Sequence, residues 1–246
     1  MIQITRQGTV FSDVPATVEM LSSQFERHHY FQIPQLLEPE LLDSIQRQID
    51  GSEFRERVHE GIESNKELCM TGNAAFGTLL FLINDERLFQ IIQDITLCDR
   101  IRCFEGRIYR VNPGCGHHDA WHNDLGDDRL VGLSINLSNN IYDGGVLQIR
   151  ECASGEIVSQ AENVVAGDAI VFSLSPSLQH RITDVEGKVP KTAFAGWFRA
   201  QPDFASLIKE QAERGMRVEK PRARFLPESR LGLKRRLRRS SYSNVC

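Results

Sequence analysis

Three side chains set the chemical question. In WHND, residues 121–124, a histidine and an aspartate stand two apart, and a further histidine, His180, opens the run HRITDV. On a strand, residues i and i+2 point to the same side. His122 and Asp124 are therefore expected to project together, with Trp121 and Asn123 facing away. Two imidazoles and one carboxylate on one face of an octahedral divalent ion leave three positions open. That arrangement suits non-haem Fe(II) chemistry, in which an oxoacid takes two positions and O2 the third. A histidine and an aspartate at this spacing are common on surfaces. Here the context adds weight, because His180 follows the turn-strand unit AGDAIVFSL and Lys191 opens the next strand-like run.

The elements that must position these groups change in texture along the chain. From Arg102, short strand-like runs alternate with Gly, Asn and Asp turns: RIYRV, LVGLSINLS, GVLQIR, NVV, AIVFSL, HRITDV and KTAFAGWF. Such spacing indicates a sandwich or barrel. In KTAFAGWF, alternation puts Lys191, Ala193, Ala195 and Trp197 on one face, and the two alanines leave room for a small dicarboxylate. Phe194 and Phe198 take the other face. In VGLSINLS, Gly132, Ser134 and Asn136 form a polar face opposite Val131, Leu133, Ile135 and Leu137. A polar inner side over a wet cavity and an apolar side under helices fits this pattern.

Residues from about 15 to 100 read mainly as helical. Pro39 suits a first helical turn, and Leu41, Leu42, Ile45 and Ile49 follow at helical spacing. A second helix is expected from Asp85 to about Ile95. Between them, residues 51–73 read as a flexible or partly helical excursion, either a surface connection or a lid. The fold class expected is α+β: a jelly roll with helices packed on one sheet. One domain is expected over residues 1–226, comprising a helical part to about 100, a jelly-roll core over about 101–200 and a helical segment over about 201–226. A basic tail, 227–246, follows.

From about Tyr109 to Phe198 the sequence resembles the prolyl-4-hydroxylase-like branch of the Fe(II)/2-oxoglutarate dioxygenase superfamily. The matching elements are YRVNPGCGHHDAWHND, VGLSINLS, DGGVLQIR, VVAGDAIVFSLSPSLQHRITDV and KTAFAGWF, in the family's order. FERHHYFQIPQLLEPELLDSI resembles the family's N-terminal stretch. The resemblance implies a double-stranded β-helix, with Fe(II) held by His122, Asp124 and His180. It places Lys191 on the distal carboxylate of 2-oxoglutarate, Asn136 and Tyr109 near the co-substrate, and Trp197 in the pocket wall.

The resemblance also implies that oxidative decarboxylation of 2-oxoglutarate drives hydroxylation of an unactivated C–H bond, with ascorbate admitted as a reductant. Substrates in range are a small molecule, an amino acid or a peptide, with O2. Asp124 fills a position that a halide would need, which favours hydroxylation over halogenation. The family position is most often Arg, whereas Lys offers a point charge in place of a two-pronged grip. The gap from His180 to Lys191 is also slightly long for the branch. Arg181 and Lys188 are rivals for the role; Arg181 is expected to point away from His180, and Lys188 falls in the turn EGKVP.

Other features have plainer readings. His117 and His118, adjacent in a Gly-rich loop, face opposite ways and cannot easily share the site. His28 and His29 read as structural or solvated, and Gly144–Gly145 as a turn or bulge. The six cysteines form no CxxC pair, which suits reduced thiols in a cytoplasmic protein. No apolar core follows the N-terminal basic residues, so no secretory signal is expected. The longest apolar run, Leu79 to Ile83, is far short of the ~20 residues that span a bilayer.

Of the 246 residues, 41% are hydrophobic and 25% charged, a balance suited to a globular domain. From Arg214 onward there are eleven Lys/Arg against two acids, a surplus of nine, so with the whole chain at −4 the remainder carries −13. An acidic body argues against a nucleic-acid grip by the catalytic domain. The basic tail leaves contact with an acidic partner open. Two further function classes stand beside the oxygenase: a cupin-like metal-binding or sugar-binding module without catalysis, and an interaction protein that works through its tail.

Overall fold

The computed structural model describes residues 1–218, apart from 13, 59–65, 118, 127 and 163. The chain opens with the hairpin β1 (Ile2–Thr5) and β2 (Gly8–Phe11), followed by α1 (Val14–His28), β3 (Tyr30–Ile33) and α2 (Pro39–Asp50). Next come β4 (Phe54–Val58), β5 (Lys66–Met70), α3 (Ala74–Ile83) and α4 (Glu86–Thr96). The second half holds β6 (Cys103–Val111), β7 (Arg129–Asn136), β8 (Asp143–Gly144), β9 (Leu147–Glu151), β10 (Ile157–Ala161), β11 (Ala169–Ser173), β12 (Leu178–Ile182), β13 (Val185–Glu186) and β14 (Lys191–Arg199). A last helix, α5 (Phe204–Val218), follows. The chain divides into two units, 1–209 and 210–246, and both sheets that frame the site lie in the first.

The major sheet has seven antiparallel strands in the order β3-β11-β7-β14-β6-β5-β4. The minor sheet has three, β10-β9-β12. These crossovers form the two layers of a jelly roll, or double-stranded β-helix, in an α+β fold. Helices α1 to α4 cover the outer face of the major sheet, where Phe194, Phe198, Phe104, Val131, Leu133 and Ile135 are buried against Leu79, Ile83, Leu88 and Ile92. Rings of Phe76, Phe89, Phe104, Phe194 and Phe198 meet at centroid separations of 5.1–6.3 Å. A second, smaller core lies on the inner sides and joins Ile170 and Phe172 of β11 to Leu147, Ile149, Ala161 and Leu178 of the minor sheet.

Local sequence explains the helices. In α2, Pro39 sits in the first turn and Leu41, Ile45 and Ile49 are buried, one turn apart. In α4, the Asp85 side chain caps the N-terminus by accepting from the Arg87 amide, and the helix ends at Leu97 in the left-handed region.

The structure differs from the sequence reading in the first hundred residues. They hold four helices but also five strands, including β1–β2 ahead of α1. Residues 54–58 and 66–70, read as a flexible or partly helical excursion, form two strands that extend the major sheet beyond β6. The polar runs FRERV and KELCM misled because an edge hairpin keeps charge on both faces. Residues 59–65, the centre of the stretch considered as a lid, lie outside the described residues, as does the tail 227–246. In the core the strand expected at NVV falls earlier, at Ile157–Ala161, where only Ser159 and Ala161 turn inward and the apolar signal is faint.

Candidate active site

The triad is assembled at a junction between strand and turn. His122 makes an isolated antiparallel bridge with His180, and each amide donates to the other's carbonyl, at 3.0 and 2.8 Å. The two imidazole centroids lie 4.4 Å apart, and the Phe172 ring packs 4.8 Å from His180. Asp124 does not reach the site by strand alternation. It adopts φ 50°, in the left-handed region, so the chain turns sharply after His122 and swings the carboxylate back. The three residues named from the sequence come together, but a turn and not strand alternation joins them.

His122, Asp124 and His180 each bring one ligand atom within 4.8 Å of the others, a group able to hold a metal ion. Asp124 Oδ2 lies 3.3 Å from His180 Nε2 and 3.5 Å from His122 Nε2. Ligand atoms ~2.1 Å from a common ion and at right angles to one another stand ~3 Å apart, so the donor set fits a small divalent cation. His122 Nδ1 donates to the Ala120 carbonyl at 2.7 Å, which turns Nε2 towards Asp124. Burial disfavours the charged imidazole, but Asp124, Asp119 and that carbonyl outweigh it and push His122 up to about 9. Burial also opposes ionisation of Asp124, yet the two histidines hold its carboxyl well below the usual range. The cluster is thus organised around a carboxylate that stays ionised.

Other polar groups hold Asp124 and the chain beside it. Trp197 Nε1 donates to Asp124 Oδ2 at 2.8 Å. Arg129 stands 3.5 Å from Oδ1 and stacks its guanidinium 3.7 Å from the centre of the Trp197 ring. Asp119 accepts from the Ile182 amide at 2.7 Å and so is tied to β12.

Lys191 sits in a separate recess. It is buried, its Nζ donates to the Gly145 carbonyl at 2.6 Å, and the Tyr142 ring lies 5.7 Å away. Burial lowers its pKa to about 8, with Asp119 opposing. The recess is a small cavity of about 30 Å³, lined by Ser134, Asn136, Tyr142, Ile182 and Phe172 among others. Phe172 therefore connects the recess to His180. Gly145, with φ +63°, lies so close that an added Cβ would meet Lys191 Cδ at 3.0 Å. Gly144 ends β8 and Gly145 follows it, both at positive φ where the sequence reading expected a turn or bulge, and Gly145 supplies the carbonyl against which Lys191 rests.

The remaining candidates separate. Asn136 lines the recess, but its amide is committed to the main chain, donating to Val164 O at 2.6 Å and accepting from the Ser138 amide at 2.9 Å. Tyr109 is buried beside Ala193, under the Arg107 guanidinium at 5.4 Å, and Trp197 faces Asp124; neither is part of the Lys191 recess. Arg181 points to the opposite face, over Trp121 at 4.7 Å, and Lys188 is exposed. His117 is turned back on its own loop, where Nδ1 accepts from the Asn112 amide at 2.9 Å. His118 lies outside the described residues. His28 is exposed, and His29, at φ 61°, ends α1.

Two groups went unread in the sequence. Tyr142, buried beside Lys191, sits in a polar loop without periodicity. Arg107 forms a two-pronged ion pair with buried Glu67, at 2.5 and 2.9 Å, across strands whose pairing was not foreseen.

A jelly roll with two imidazoles and a carboxylate at one point and a buried cation in an adjoining recess defines the class of non-haem metal oxygenases. Residues 106–199, which span all these groups, match the model of the 2OG-Fe(II) oxygenase superfamily. No curated protein sequence matches the chain. A prolyl-4-hydroxylase from Pseudomonas putida shares the fold with a TM-score of 0.54 at 21% identity, over 75% of this chain and 100% of that one. A Trichoplax adhaerens prolyl hydroxylase, solved with a hypoxia-inducible-factor peptide fragment, gives 0.52 at 13% identity, over 81% and 93%. The non-haem α-ketoglutarate-dependent epimerase SnoN of nogalamycin biosynthesis also gives 0.52, at 12% identity, over 74% and 82%. Among the described residues no helix is long and apolar enough to cross a membrane.

Proposed function

We propose that the protein couples oxidative decarboxylation of 2-oxoglutarate to hydroxylation of an unactivated C–H bond in an amino-acid, peptide or small-molecule substrate. The observation that carries this reading is the adjacency of two differently charged sites in one core: an ionised carboxylate between two imidazoles, and a buried cation one aromatic ring away. In this reading His122, Asp124 and His180 hold Fe(II), which with bound 2-oxoglutarate and O2 supplies the oxidising power.

The chain's own residues do the positioning. Lys191 receives the distal carboxylate, and the Tyr142 hydroxyl shares it. The Gly145 carbonyl holds the ammonium in place, and Ile170, Phe172 and Leu147 keep water from the carbon chain of the co-substrate. Asn136 shapes the recess by strapping the Val164 loop. Trp197 and Arg129 fix Asp124. Tyr109, with Arg107, forms the wall of the major sheet's inner face beyond the triad. Ascorbate as a reductant and a cytoplasmic setting belong to the same reading.

A cupin-like binding module would need the metal but not the buried cation, so Lys191 favours the oxygenase. Hydroxylation in place of epimerisation is the finer part of the proposal. It is tested by incubating the protein with Fe(II), ascorbate, 2-oxoglutarate and a substrate library, measuring succinate and product mass. Succinate with a gain of one oxygen is expected; succinate with an isomeric product replaces hydroxylation, and no iron-dependent succinate overturns the oxygenase reading.

A further inference from the structure

The strand holding His180 is gripped from both sides by one dipeptide. His122 lies on the inner side of β12, its ring against His180. Trp121 takes the outer side, with two guanidinium groups against its ring: Arg150 at 4.4 Å and Arg181 at 4.7 Å from the ring centre. Both arginines are fixed by neutral side chains. Gln179 accepts from Arg150 Nε and Nη2 at 2.9 and 2.6 Å, and Gln148 accepts from Arg181 Nε at 2.9 Å. The glutamines orient the planes without neutralising them, so both cations act on the indole ring. Arg150 comes from β9 and Arg181 from β12, and the stack spans both strands.

The need for such a hold is visible in the backbone. His122 belongs to no continuous strand; one bridge fixes it, and the chain leaves that bridge immediately through the positive φ of Asp124. A ligand on so short a ladder loses its aim unless the neighbouring residue is anchored. Asp124 has its own anchor in Trp197. We propose that Trp121, held by Arg150 and Arg181 against its ring, is a positioning residue for His122, so that the affinity of the metal centre is set in part from the opposite face of the minor sheet. The inference rests on the metal-centre reading above.

The test uses the full chain and two probes, Mn(II) titrated by calorimetry and the visible spectrum of the Co(II) form, with the thermal midpoint of metal-free protein recorded in parallel. Trp121→Ala is expected to weaken Mn(II) on the order of tenfold and to alter the Co(II) bands, with little change in the metal-free midpoint. Trp121→Phe keeps an aromatic ring beside the cations and is expected to restore most of the affinity. The double change Arg150→Gln, Arg181→Gln leaves the indole in place and is expected to weaken Mn(II) severalfold; it carries the test if Trp121→Ala does not fold. Wild-type affinity and spectrum in the folded variants would overturn the inference. So would an equal loss in Trp121→Ala and Trp121→Phe together with a fallen midpoint, which marks a packing role alone. Failure of the unaltered chain to bind Mn(II) is a different result, and it removes the metal-centre reading itself.

Discussion

The two faces of β14 do different work within nine residues. On the outer face Phe194 and Phe198 are fully buried among the helices, while on the inner face Lys191 is buried as a cation and Trp197 reaches a carboxylate. One side is held by non-directional burial and the other by a few aimed polar contacts. Damage to the first should cost stability and spare the site's chemistry; damage to the second should do the reverse.

The sharpest break in that comparison comes from the triad. His122→Ala, Asp124→Ala and His180→Ala are each expected to abolish Mn(II) binding by calorimetry while circular dichroism stays that of the folded chain. Retained binding in all three would place the metal elsewhere. Next comes the outer face: Phe198→Ala, which empties a site between Phe89 and Phe104, should cost ~3–5 kcal/mol in denaturant unfolding. The surviving folded fraction should keep its Mn(II) affinity; a loss of metal there would show that the two faces are coupled.

A smaller effect is expected at the inner end of the strand. Lys191→Ala removes a charge-assisted contact worth roughly 1.5–3 kcal/mol, so the requirement for 2-oxoglutarate should rise about tenfold to a hundredfold, and Lys191→Arg should do much less harm. A large effect from Arg181→Ala in place of Lys191→Ala would transfer the role. The gentlest probe is pH. With Lys191 lowered to about 8, its ammonium is present below that value and is lost as pH rises through it. Co-substrate affinity should therefore be full near pH 7 and fall roughly tenfold by pH 9, in step with the protonated fraction. In Lys191→Arg the fall should vanish, which separates this lysine from groups at the triad that titrate in both proteins.

The same comparison shows what was legible in the sequence. Alternation in KTAFAGWF and VGLSINLS placed every residue on its correct face, because a regular strand has a period of two and one side is apolar. The triad was legible as residue types, but its geometry was not: Asp124 arrives through a left-handed turn, and nothing in WHND encodes that φ. Tyr142 lay hidden because loops have no period. The β4–β5 hairpin was misread because its side chains are charged on both faces, so neither helical nor strand periodicity emerged. A tertiary pairing, Glu67 with Arg107, forty residues apart in the chain, helps to hold that hairpin on the core.

That ion pair bears on how the sheet chooses its alignment during folding. Only two residue pairs, Leu68↔Arg110 and Cys69↔Tyr109, join β5 to β6. So short a ladder discriminates poorly between neighbouring alignments, and a slip of one residue would turn every side chain of β5 to the opposite face. Sliding would leave Glu67 and Arg107 as separated buried charges, a penalty that an apolar pair would not impose. The pair thus works as a key that fits one alignment. Replacing both by leucine should leave global stability nearly unchanged yet loosen the alignment, seen as faster hydrogen exchange confined to residues 66–70. Slow exchange there would assign the alignment to packing alone.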